Sequence, residues 1–478
     1  MRKLKTISML LGLFVITSCN QGFEEINTNP NGVEKVLPKN LLAPAITKVV
    51  GYNMSRSQRL TNELMQVTVN MGDGDGRIFR YEIRSSEGDY LWNNWYLQLT
   101  NFKDIYTYAE ELDSKTYMGI SLICQAWIFS MLTDTYGDIP YFNAIQSKEN
   151  NFTPSFDLQS DIYKDLFVKL EEANTLLTNS TNIDGASDPI FAGNALLWRK
   201  FGNSLYLRLL MRVSQKSELG TAAIIKKLVD EQPTVYPVMA NNTESAILRW
   251  SGSSPYVSPF ATWRPADWYT PKLASFFVDN LNEWSDPRIQ KWATLSDGEY
   301  AGIPSGYPLG DPPASKSTLP TSLMVEPLLG NILNYSELQF TLAEAAIKGY
   351  VSSTPAKTYY ETGVTNAIQL WGYELPENYL LGEHVVWNED ASLDNKMELI
   401  FQQKYYALFF TDLQSWFEFR RTGYPKLPIL SGHLNQGKMP VRLNYPVYIQ
   451  SSNRENYRKA VEIQGADNIN TLVWWQKP

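Results

Sequence analysis

The sequence predicts a mainly α-helical protein, with helix pairs forming a scaffold, a large loop-rich region and few short strands. Apolar residues recur three and four positions apart over long stretches, which is the spacing of one face of a helix. These stretches are 60–71, 92–106, 161–177, 195–213, 334–347 and 396–419. The alternation of apolar and polar residues that is typical of strands is confined to 246–250 and 441–448.

The amino terminus has the pattern of a secretory signal. The cations Arg2, Lys3 and Lys5 precede an apolar run at 7–16, which has half of the roughly 20 residues that a membrane span needs. The following Ile16-Thr17-Ser18-Cys19 resembles a bacterial lipobox. We therefore expect residues 1–18 to be a lipoprotein signal peptide and Cys19 to be lipidated. The alternative is an ordinary signal peptide with a chance cysteine.

Downstream of Cys19 the sequence is typical of a tethered domain. Residues 20–31 are polar, and Glu24 and Glu25 resemble the surface-export signal of some Gram-negative lipoproteins. The most apolar stretch, 118–132, has about 15 residues, which fits a helix buried inside a domain better than a membrane span. We expect Cys124 in this stretch to be inert packing, because nothing cationic nearby in the sequence would lower the pKa of its thiol.

The helical stretches are expected to pack as antiparallel pairs. The pair 92–111 and 116–135 resembles a tetratricopeptide hairpin, although no clean repeat of about 34 residues is present. A length of 478 residues exceeds an ordinary core of roughly 100–200 residues, so the chain forms two lobes or one unusually large domain.

The segment 251–320 differs in composition from the helical stretches. Serine, glycine and proline increase in frequency while aromatic residues persist, among them Tyr256, Trp263, Trp268 and Tyr307. A loop segment of this length is usually functional or disordered, and its aromatic residues argue against disorder.

Charge and residue counts exclude several classes of function. Lys+Arg 42 against Asp+Glu 50 gives a net charge of −8, and without a basic stripe the chain would repel nucleic acid. Two cysteines and two histidines exclude a disulfide scaffold and the usual four-ligand zinc site. The run Asp73-Gly74-Asp75 lacks the later acidic ligands of a calcium loop. No metal and no cofactor are therefore expected.

Glu337 and Glu344 are the most suggestive pair of carboxylates for catalysis. Seven residues along one helix separate their Cα atoms by roughly 10.5 Å. Retaining glycosidases need carboxyl groups about 5–5.5 Å apart and inverting ones about 6.5–9.5 Å apart. We therefore expect each carboxylate to bond a neighbouring helix or an arginine instead.

Ordered motifs along the chain resemble those of a known family. They are Phe23-Glu24-Glu25-Ile26-Asn27-Thr28-Asn29-Pro30-Asn31, Asp134-Thr135-Tyr136-Gly137-Asp138-Ile139-Pro140-Tyr141, Asp286-Pro287-Arg288, Glu337-Leu338-Gln339-Phe340-Thr341-Leu342-Ala343-Glu344-Ala345, Gln403-Lys404-Tyr405, Trp416-Phe417-Glu418-Phe419-Arg420-Arg421-Thr422-Gly423-Tyr424-Pro425, Pro440-Val441-Arg442-Leu443-Asn444-Tyr445-Pro446 and Trp474-Trp475. Together they resemble the SusD/RagB-like family of outer-membrane nutrient-binding lipoproteins, in its second SusD-like branch.

The resemblance implies a function and a location. It implies that 19–478 is one nutrient-binding domain built on helix pairs of the tetratricopeptide kind. It further implies a lipid-anchored protein of the outer membrane that faces the cell exterior, binds glycans or other nutrients, and sits as a lid on a SusC-like TonB-dependent transporter. Such a protein is a receptor and not an enzyme.

A ligand site is expected where the segment 72–95 approaches the loops of 251–307. Flat aromatic rings cover the apolar faces of sugars, and guanidinium or amide groups bond their hydroxyl edges. Trp92 and Tyr96 follow the apolar stripe of their helix and are expected in the core, whereas Trp95 is expected to point elsewhere. The stacking candidates are Trp95, Trp263, Trp268 and Tyr307, and the polar candidates are Arg80 and Asn93.

The alternative from a different class is an α-helical surface glycoside hydrolase. Such an enzyme would need a pair of loop carboxylates at glycosidase separation inside an aromatic cleft. Asp267, Asp286 and Glu299 are the acids that the sequence offers for this role.

Overall fold

The computed structural model of the chain describes residues 36–72 and 74–478, and most of them are helical. The predicted mainly α-helical class is therefore confirmed. The predicted signal peptide and Cys19 lie outside the described residues. The longer helices are α1 Pro38–Arg56, α2 Asp89–Glu111, α3 Lys115–Tyr136, α4 Gln159–Leu176, α5 Ala195–Arg212, α6 Ser275–Glu283, α7 Tyr335–Ile347, α8 Ala356–Leu370, α9 Leu393–Ala407, α10 Gln414–Thr422 and α11 Arg454–Gln464.

The remaining regular elements are short. The short α-helices are Asn62–Leu64, Thr221–Lys226, Pro265–Tyr269, Ile289–Trp292 and Ile449–Ser452, and the strands are β1 Thr68–Val69, β2 Ala246–Leu248, β3 Lys272–Leu273 and β4 Gly330–Leu333. Strand β1 pairs antiparallel with β3, with Thr68 opposite Leu273. Strand β2 pairs antiparallel with β4, with Leu248 opposite Gly330. The predicted strand at 246–250 is therefore confirmed.

The predicted strand at 441–448 is wrong, because the backbone there bonds to helix ends and loops. The Leu443 amide donates to the carbonyl oxygen of Thr135 at the end of α3, at 3.0 Å. The Val441 amide donates to the carbonyl oxygen of Ile469, at 2.8 Å. With its amides used in this way, the segment has no neighbouring strand to form a ladder with.

Helix α3 is the central helix of the structure. Among the described residues it is the one helix long and apolar enough to cross a bilayer, and 89% of its most apolar stretch is buried within the protein. The prediction of a buried helix at 118–132 is confirmed. Cys124 is buried on it, and this burial raises the pKa of its thiol. The helix ends at Gly137, which has φ +85° and lies where a Cβ would stand 1.9 Å from Oε1 of Gln464.

Neighbouring helices pack as the predicted pairs. Helices α2 and α3 pack against each other and are joined by three residues, and α3 with α4 and α7 with α8 form further packed pairs. Residues Pro38–Pro478 form one compact unit. This agrees with one unusually large domain rather than two lobes.

The segment 251–320 contains more regular structure than its composition predicts. Strand β3, helix α6 and two of the short helices lie within it. Trp268, Phe277 and Trp292 are buried in the main core and hold these elements in place. A second, small core forms around Val69, Phe79, Ala274, Ile303 and Tyr307, so the segment also folds onto the residues near β1.

Buried ion pairs join the helices of the carboxyl-terminal half to α5. Nε and Nη2 of Arg208 on α5 donate to the two carboxylate oxygens of Glu337 on α7, at 2.7 and 2.6 Å. Both terminal nitrogens of Arg421 on α10 donate to Glu344, each at 2.7 Å. The expectation that Glu337 and Glu344 bond arginines is confirmed, and neither carboxylate is open to a substrate.

The second part of this ionic cluster surrounds Glu418 on α10. Nζ of Lys404 lies 2.8 Å from one carboxylate oxygen of Glu418, and Nη2 of Arg212 lies 3.3 Å from the other. Burial alone would raise the pKa of Glu418 and of Glu344. The neighbouring guanidinium and ammonium groups outweigh burial and hold the pKa of both carboxyls below their usual range.

Removing one member of a buried pair should therefore cost more than removing both. Arg208→Met leaves the Glu337 carboxylate buried without its bidentate partner, and we expect the free energy of unfolding to fall by about 3–5 kcal/mol. The double variant Arg208→Met/Glu337→Leu should recover most of this loss, because no charge is then left unpaired. Urea unfolding at neutral pH measures both variants. A double variant no more stable than Arg208→Met would contradict this interpretation of the pair.

Candidate functional site

The structure places Trp95, Trp268 and Tyr307 inside the protein. Nε1 of Trp95 donates to Oδ1 of Asn53 at 2.8 Å, and Nε1 of Trp268 donates to the carbonyl oxygen of Pro320 at 2.9 Å. The hydroxyl of Tyr307 accepts from the Gly72 amide at 3.0 Å. These rings have at most 1% of their surface exposed. Because they present no open face, the sequence-based assignment of the three residues to a stacking surface disagrees with the structure.

Arg80 joins loops to each other and does not face solvent. Its Nη1 donates to the carbonyl oxygens of Tyr307 and Gly432, at 2.6 and 3.1 Å. Its guanidinium carbon lies 4.6 Å from the centre of the Tyr307 ring and 4.9 Å from that of Phe79. The segment 72–95 and the loops of 251–307 therefore meet as expected, but at this point the contact is buried packing. The guanidinium that was predicted to bond a ligand thus bonds backbone carbonyls instead.

Trp263 and Asn93 are the two predicted site residues that reach the surface. The ring of Trp263 is partly buried against Phe260, with ring centres 4.9 Å apart. Asn93 is exposed on α2, and its Oδ1 accepts from the hydroxyl of Tyr448 at 2.6 Å. Neither Trp263 nor Asn93 lines the groove described next.

An open groove lies on one side of the amino-terminal part of α2, lined mainly by α1 and by the loop that follows β2. We call it the tyrosine groove, after Tyr52 on α1, Tyr90 on α2 and Tyr256 in the loop that follows β2. It has a volume of about 550 Å³. A groove of this size suits a small ligand or a few rings of a polymer.

Ring contacts hold two of the tyrosines in place, and backbone hydrogen bonds hold the third. The ring centres of Tyr52 and Tyr90 lie 5.8 Å apart with planes at 88°, an edge-to-face pair that fixes both rings. The Tyr256 amide donates to the Ser253 carbonyl at 2.8 Å, and the Tyr256 carbonyl accepts from the Ser251 amide at 3.0 Å. These bonds close a tight turn that presents the third ring.

The opposite wall of the groove is one face of α1. Ala43, Thr47, Gly51 and Ser55 recur along this face at helical spacing. A Cβ atom built on Gly51 would meet nothing within 4 Å. The groove is therefore open at Gly51, and a larger side chain there would project into free space.

The electrostatics of the groove favour a neutral or anionic ligand. Among the described residues that line it, Lys48 is the one with a charged side chain. The guanidinium of Arg56 lies 4.3 Å from the centre of the Tyr90 ring and forms an ion pair with Glu87. Burial raises the pKa of Tyr52, Tyr90 and Tyr256 above the usual value of 10.0. All three hydroxyls are thus neutral at physiological pH and can donate and accept hydrogen bonds.

A buried junction behind the groove fixes α1 against α2 and α3. Oδ1 of Asp412 accepts from Nδ2 of Asn53 at 2.7 Å, and Oδ2 accepts from Nε1 of Trp127 at 2.7 Å. Oδ1 of Asn53 accepts in turn from Nε1 of Trp95. Burial raises the pKa of Asp412 to about 7, against the opposing effect of these donors. Since Asn53 follows Tyr52 directly, this junction sets the position of the first tyrosine.

The acids considered for a hydrolase lie outside the tyrosine groove, and two of them pair with arginines. Asp286 is buried and receives two bonds from the Arg288 guanidinium, at 2.9 and 2.6 Å. Burial acts to raise its pKa, but Arg288 outweighs burial and lowers it. Asp267 pairs with the exposed Arg264 at 2.9 Å. None of Asp267, Asp286 and Glu299 lines the tyrosine groove.

The side chains that commonly bind metals are not clustered in the described part of the chain. Within residues 36–72 and 74–478, no group of three His, Cys, Asp or Glu side chains could hold a metal ion. Asp73, the first residue of the Asp73-Gly74-Asp75 run, lies outside the described residues.

Sequence reasoning missed Tyr52 and the helix that carries it. The apolar residues Leu42, Ile46, Val49 and Val50 recur at helical spacing and are all buried. This pattern could have identified α1. It also places Gly51 and Tyr52 at the edge of the buried stripe, where a ligand can reach them.

Known proteins resemble the chain in sequence profile and in fold. The SusD-like family, described as "starch-binding associating with outer membrane", matches residues 30–446. A SusD homologue from Bacteroides fragilis has 26% identity and a TM-score of 0.75, covering 93% of this chain and 100% of its own. A SusD homologue from Bacteroides uniformis has 24% identity and a TM-score of 0.79, and the alignment covers 92% of this chain and 99% of the homologue.

A chitin-binding SusD homologue from Flavobacterium johnsoniae shares the same fold. It has 22% identity and a TM-score of 0.80, and the alignment covers 92% of this chain and 98% of the homologue. No curated protein sequence matches the chain. The structural likenesses support the predicted helical architecture over nearly the whole length of the relatives.

The junction behind the groove should make stability depend on Asn53 and on pH. Asn53→Ala leaves Trp95 Nε1 and one oxygen of Asp412 without their partners, so we expect the free energy of unfolding to fall by about 2 kcal/mol or more. The folded-state pKa of Asp412 already exceeds its unfolded value, so its contribution to stability decreases as pH rises towards 7. Losing the Asn53 donor disfavours the charged form of Asp412 further. The decrease in the free energy of unfolding caused by Asn53→Ala should therefore be larger at pH 8 than at pH 5.

Urea unfolding of the wild type and Asn53→Ala at both pH values measures this difference. Tyr52→Phe, at the neighbouring position, is the control and should show no such pH dependence. An equal loss at pH 5 and pH 8 would contradict the assignment of Asp412 as the titrating partner.

Proposed function

Because the chain belongs to the SusD-like family, we propose that it is a cell-surface receptor that binds a glycan in the tyrosine groove and leaves it chemically unchanged. The family assignment confirms the resemblance found in the sequence motifs. A nutrient-binding role follows from the family, and the solved chitin-binding homologues support it. The identity of the bound nutrient and its site in this chain belong to the proposal.

The observation that carries this proposal is the set of three tyrosines around an open groove. A pyranose ring has an apolar face and polar hydroxyl edges, and tyrosine offers both a flat ring and a hydroxyl. Tyrosine also loses little conformational entropy on binding, because it has two side-chain torsions. The neutral hydroxyls of Tyr52, Tyr90 and Tyr256 are suited to bond sugar hydroxyl or acetamido groups.

Charge narrows the class of glycan. With Lys48 as the charged residue of the groove, a neutral or acidic sugar is favoured over a cationic one. Two related structures are described as chitin-binding, and the family description names starch. Neutral oligosaccharides of N-acetylglucosamine and of glucose are therefore the first ligands to test.

The positions and partners of the acidic side chains favour binding without hydrolysis. Hydrolysis of a glycosidic bond needs one carboxyl as an acid and another as a nucleophile or base. The groove is lined by no carboxylate among the described residues. Glu337, Glu344 and Asp286 are each bonded to a buried arginine. These contacts support a receptor rather than the alternative glycoside hydrolase.

The location and partner follow from the same family and from the amino-terminal sequence. We place the protein in the outer membrane, anchored through a lipid on Cys19 and facing the cell exterior. Its partner in this proposal is a SusC-like TonB-dependent transporter, to which it delivers the bound glycan. The family description supports the outer-membrane association.

Filling the groove from α1 should abolish binding without unfolding the protein. Gly51→Trp projects an indole into the space that is empty around this position, and we expect affinity for the best-binding oligosaccharide to fall at least tenfold. Isothermal titration with hexamers of N-acetylglucosamine and of glucose measures the change. Gly51→Ala is the matched control. It should bind as the wild type does and gain about 0.5–1 kcal/mol of stability from helix propensity. Unchanged affinity in Gly51→Trp would show that the ligand binds elsewhere.

Anchoring has a separate test. Cys19→Ala removes the only thiol that a lipobox at this position can modify, so the protein should fold but no longer fractionate with the outer membrane. Membrane fractions from a strain that lacks the transporter are compared by immunoblot, since the transporter alone could retain the protein. Continued membrane association of Cys19→Ala in that strain would refute the lipid anchor.

A further inference from the structure

A second cavity lies beside α2, and the function proposed above does not use it. We call it the Trp92 cleft. It is lined by Trp92 and Tyr96 from α2, by Phe152 and Phe156 from the loop between α3 and α4, and by Tyr448. Its volume is about 180 Å³, so the space is much smaller than the tyrosine groove.

The aromatic residues at the mouth of the cleft are exposed although their loops are fixed. Phe152 is 71% exposed and Tyr448 is 46% exposed. The loop that carries Phe152 is held from the carboxyl-terminal region. Nδ2 of Asn453 donates to the Pro154 carbonyl at 2.7 Å, and Nδ2 of Asn456 donates to the Thr153 carbonyl at 2.9 Å. Two rings are thus presented to solvent on bonded backbone, which is the arrangement of a preorganised binding surface.

The chemistry of the lining selects a neutral ligand with one apolar and one polar side. None of the described side chains that line the cleft is charged. Trp92, Phe156 and Ile145 make one part apolar, while Ser452 and the hydroxyl of Tyr448 make another part polar. Asn93 extends the polar part, because its Oδ1 accepts from that hydroxyl. A single sugar ring has the matching distribution of apolar face and hydroxyl edge.

The two cavities lie on opposite faces of one helix. Tyr90 lines the tyrosine groove and Trp92 lines the cleft. Two residues along an α-helix correspond to a rotation of about 200° and a rise of about 3 Å. The cavities are therefore separated by roughly the diameter of a helix, about 10–12 Å. One oligosaccharide of several rings is long enough to span this distance.

We infer that the Trp92 cleft is a second subsite, which binds one neutral ring of the same glycan chain that occupies the tyrosine groove. This inference rests on the proposed function, because it assigns a further part of that ligand. Two linked contacts raise the overall affinity through effective concentration. The cleft therefore makes the receptor select long chains over short ones.

The test compares chain lengths in a variant that lacks the exposed rings. Phe152→Ala/Tyr448→Ala removes both rings at the mouth, and Phe142→Ala is the control, since Phe142 is 49% exposed nearby but does not line the cleft. Full-length protein in mild detergent is titrated with the dimers and hexamers of N-acetylglucosamine and of glucose. We expect the double variant to bind the hexamer about tenfold more weakly and the dimer unchanged. The control should bind both as the wild type does.

The outcomes separate this inference from the proposed function. If the wild type binds a hexamer and the double variant binds it with the same affinity, the second subsite is overturned and the receptor proposal stands. An equal loss for dimer and hexamer would also overturn it, because the cleft would then be the primary site. A wild type that binds none of the four sugars would remove the glycan-receptor proposal and the subsite together.

Discussion

The carboxylate of Asp412 determines where the walls of the tyrosine groove lie. It accepts from Asn53 on α1 and from Trp127 on α3, and Asn53 accepts from Trp95 on α2. Three helices are therefore fixed to one buried acid. Burying a carboxyl is unfavourable unless donors surround it. Burial accordingly raises the pKa of Asp412. Because Tyr52 precedes Asn53 and Tyr90 lies on the same helix as Trp95, the geometry of the groove depends on this junction.

Buried ion pairs hold the rest of the helical scaffold, as hydrogen bonds to a buried acid hold the helices around Asp412. Arg208, Arg421 and Lys404 each meet a buried carboxylate on another helix or on a neighbouring turn. A pair of this kind contributes little net stability but penalises any arrangement that separates its members. The scaffold therefore has one well-defined packing. Ligand-facing residues can then be placed on loops and helix ends without loss of precision.

Sequence reasoning located the scaffold better than the site, and particular residues show why. The spacing of Glu337 and Glu344 argued against their use as a glycosidase pair and favoured bonds to a neighbouring helix or an arginine, because helix geometry is local. The sequence predicts that Trp95 points away from the core, but α2 packs against both α1 and α3, and Trp95 is buried. Periodicity along one helix cannot reveal a second packing partner. The burial of Trp268 and Tyr307 depends likewise on contacts between distant segments.

The tyrosine groove and the Trp92 cleft share a chemical character that distinguishes them from the interior. Both are lined by aromatic rings with polar atoms at one edge, and together they contain a single charged side chain, Lys48. The buried interior, in contrast, holds paired charges such as Arg208 with Glu337 and Arg421 with Glu344. Neutral aromatic and hydroxyl groups line the two cavities where a neutral glycan would bind.

A crystal structure of the protein with the tightest-binding oligosaccharide tests the central claim most directly. The account predicts an intact glycan in the tyrosine groove, with a sugar ring against Tyr90 or Tyr256 and its hydroxyl or acetamido groups bonded to the tyrosine hydroxyls. A glycan bound elsewhere with the groove empty, or one cleaved in the crystal, would contradict it.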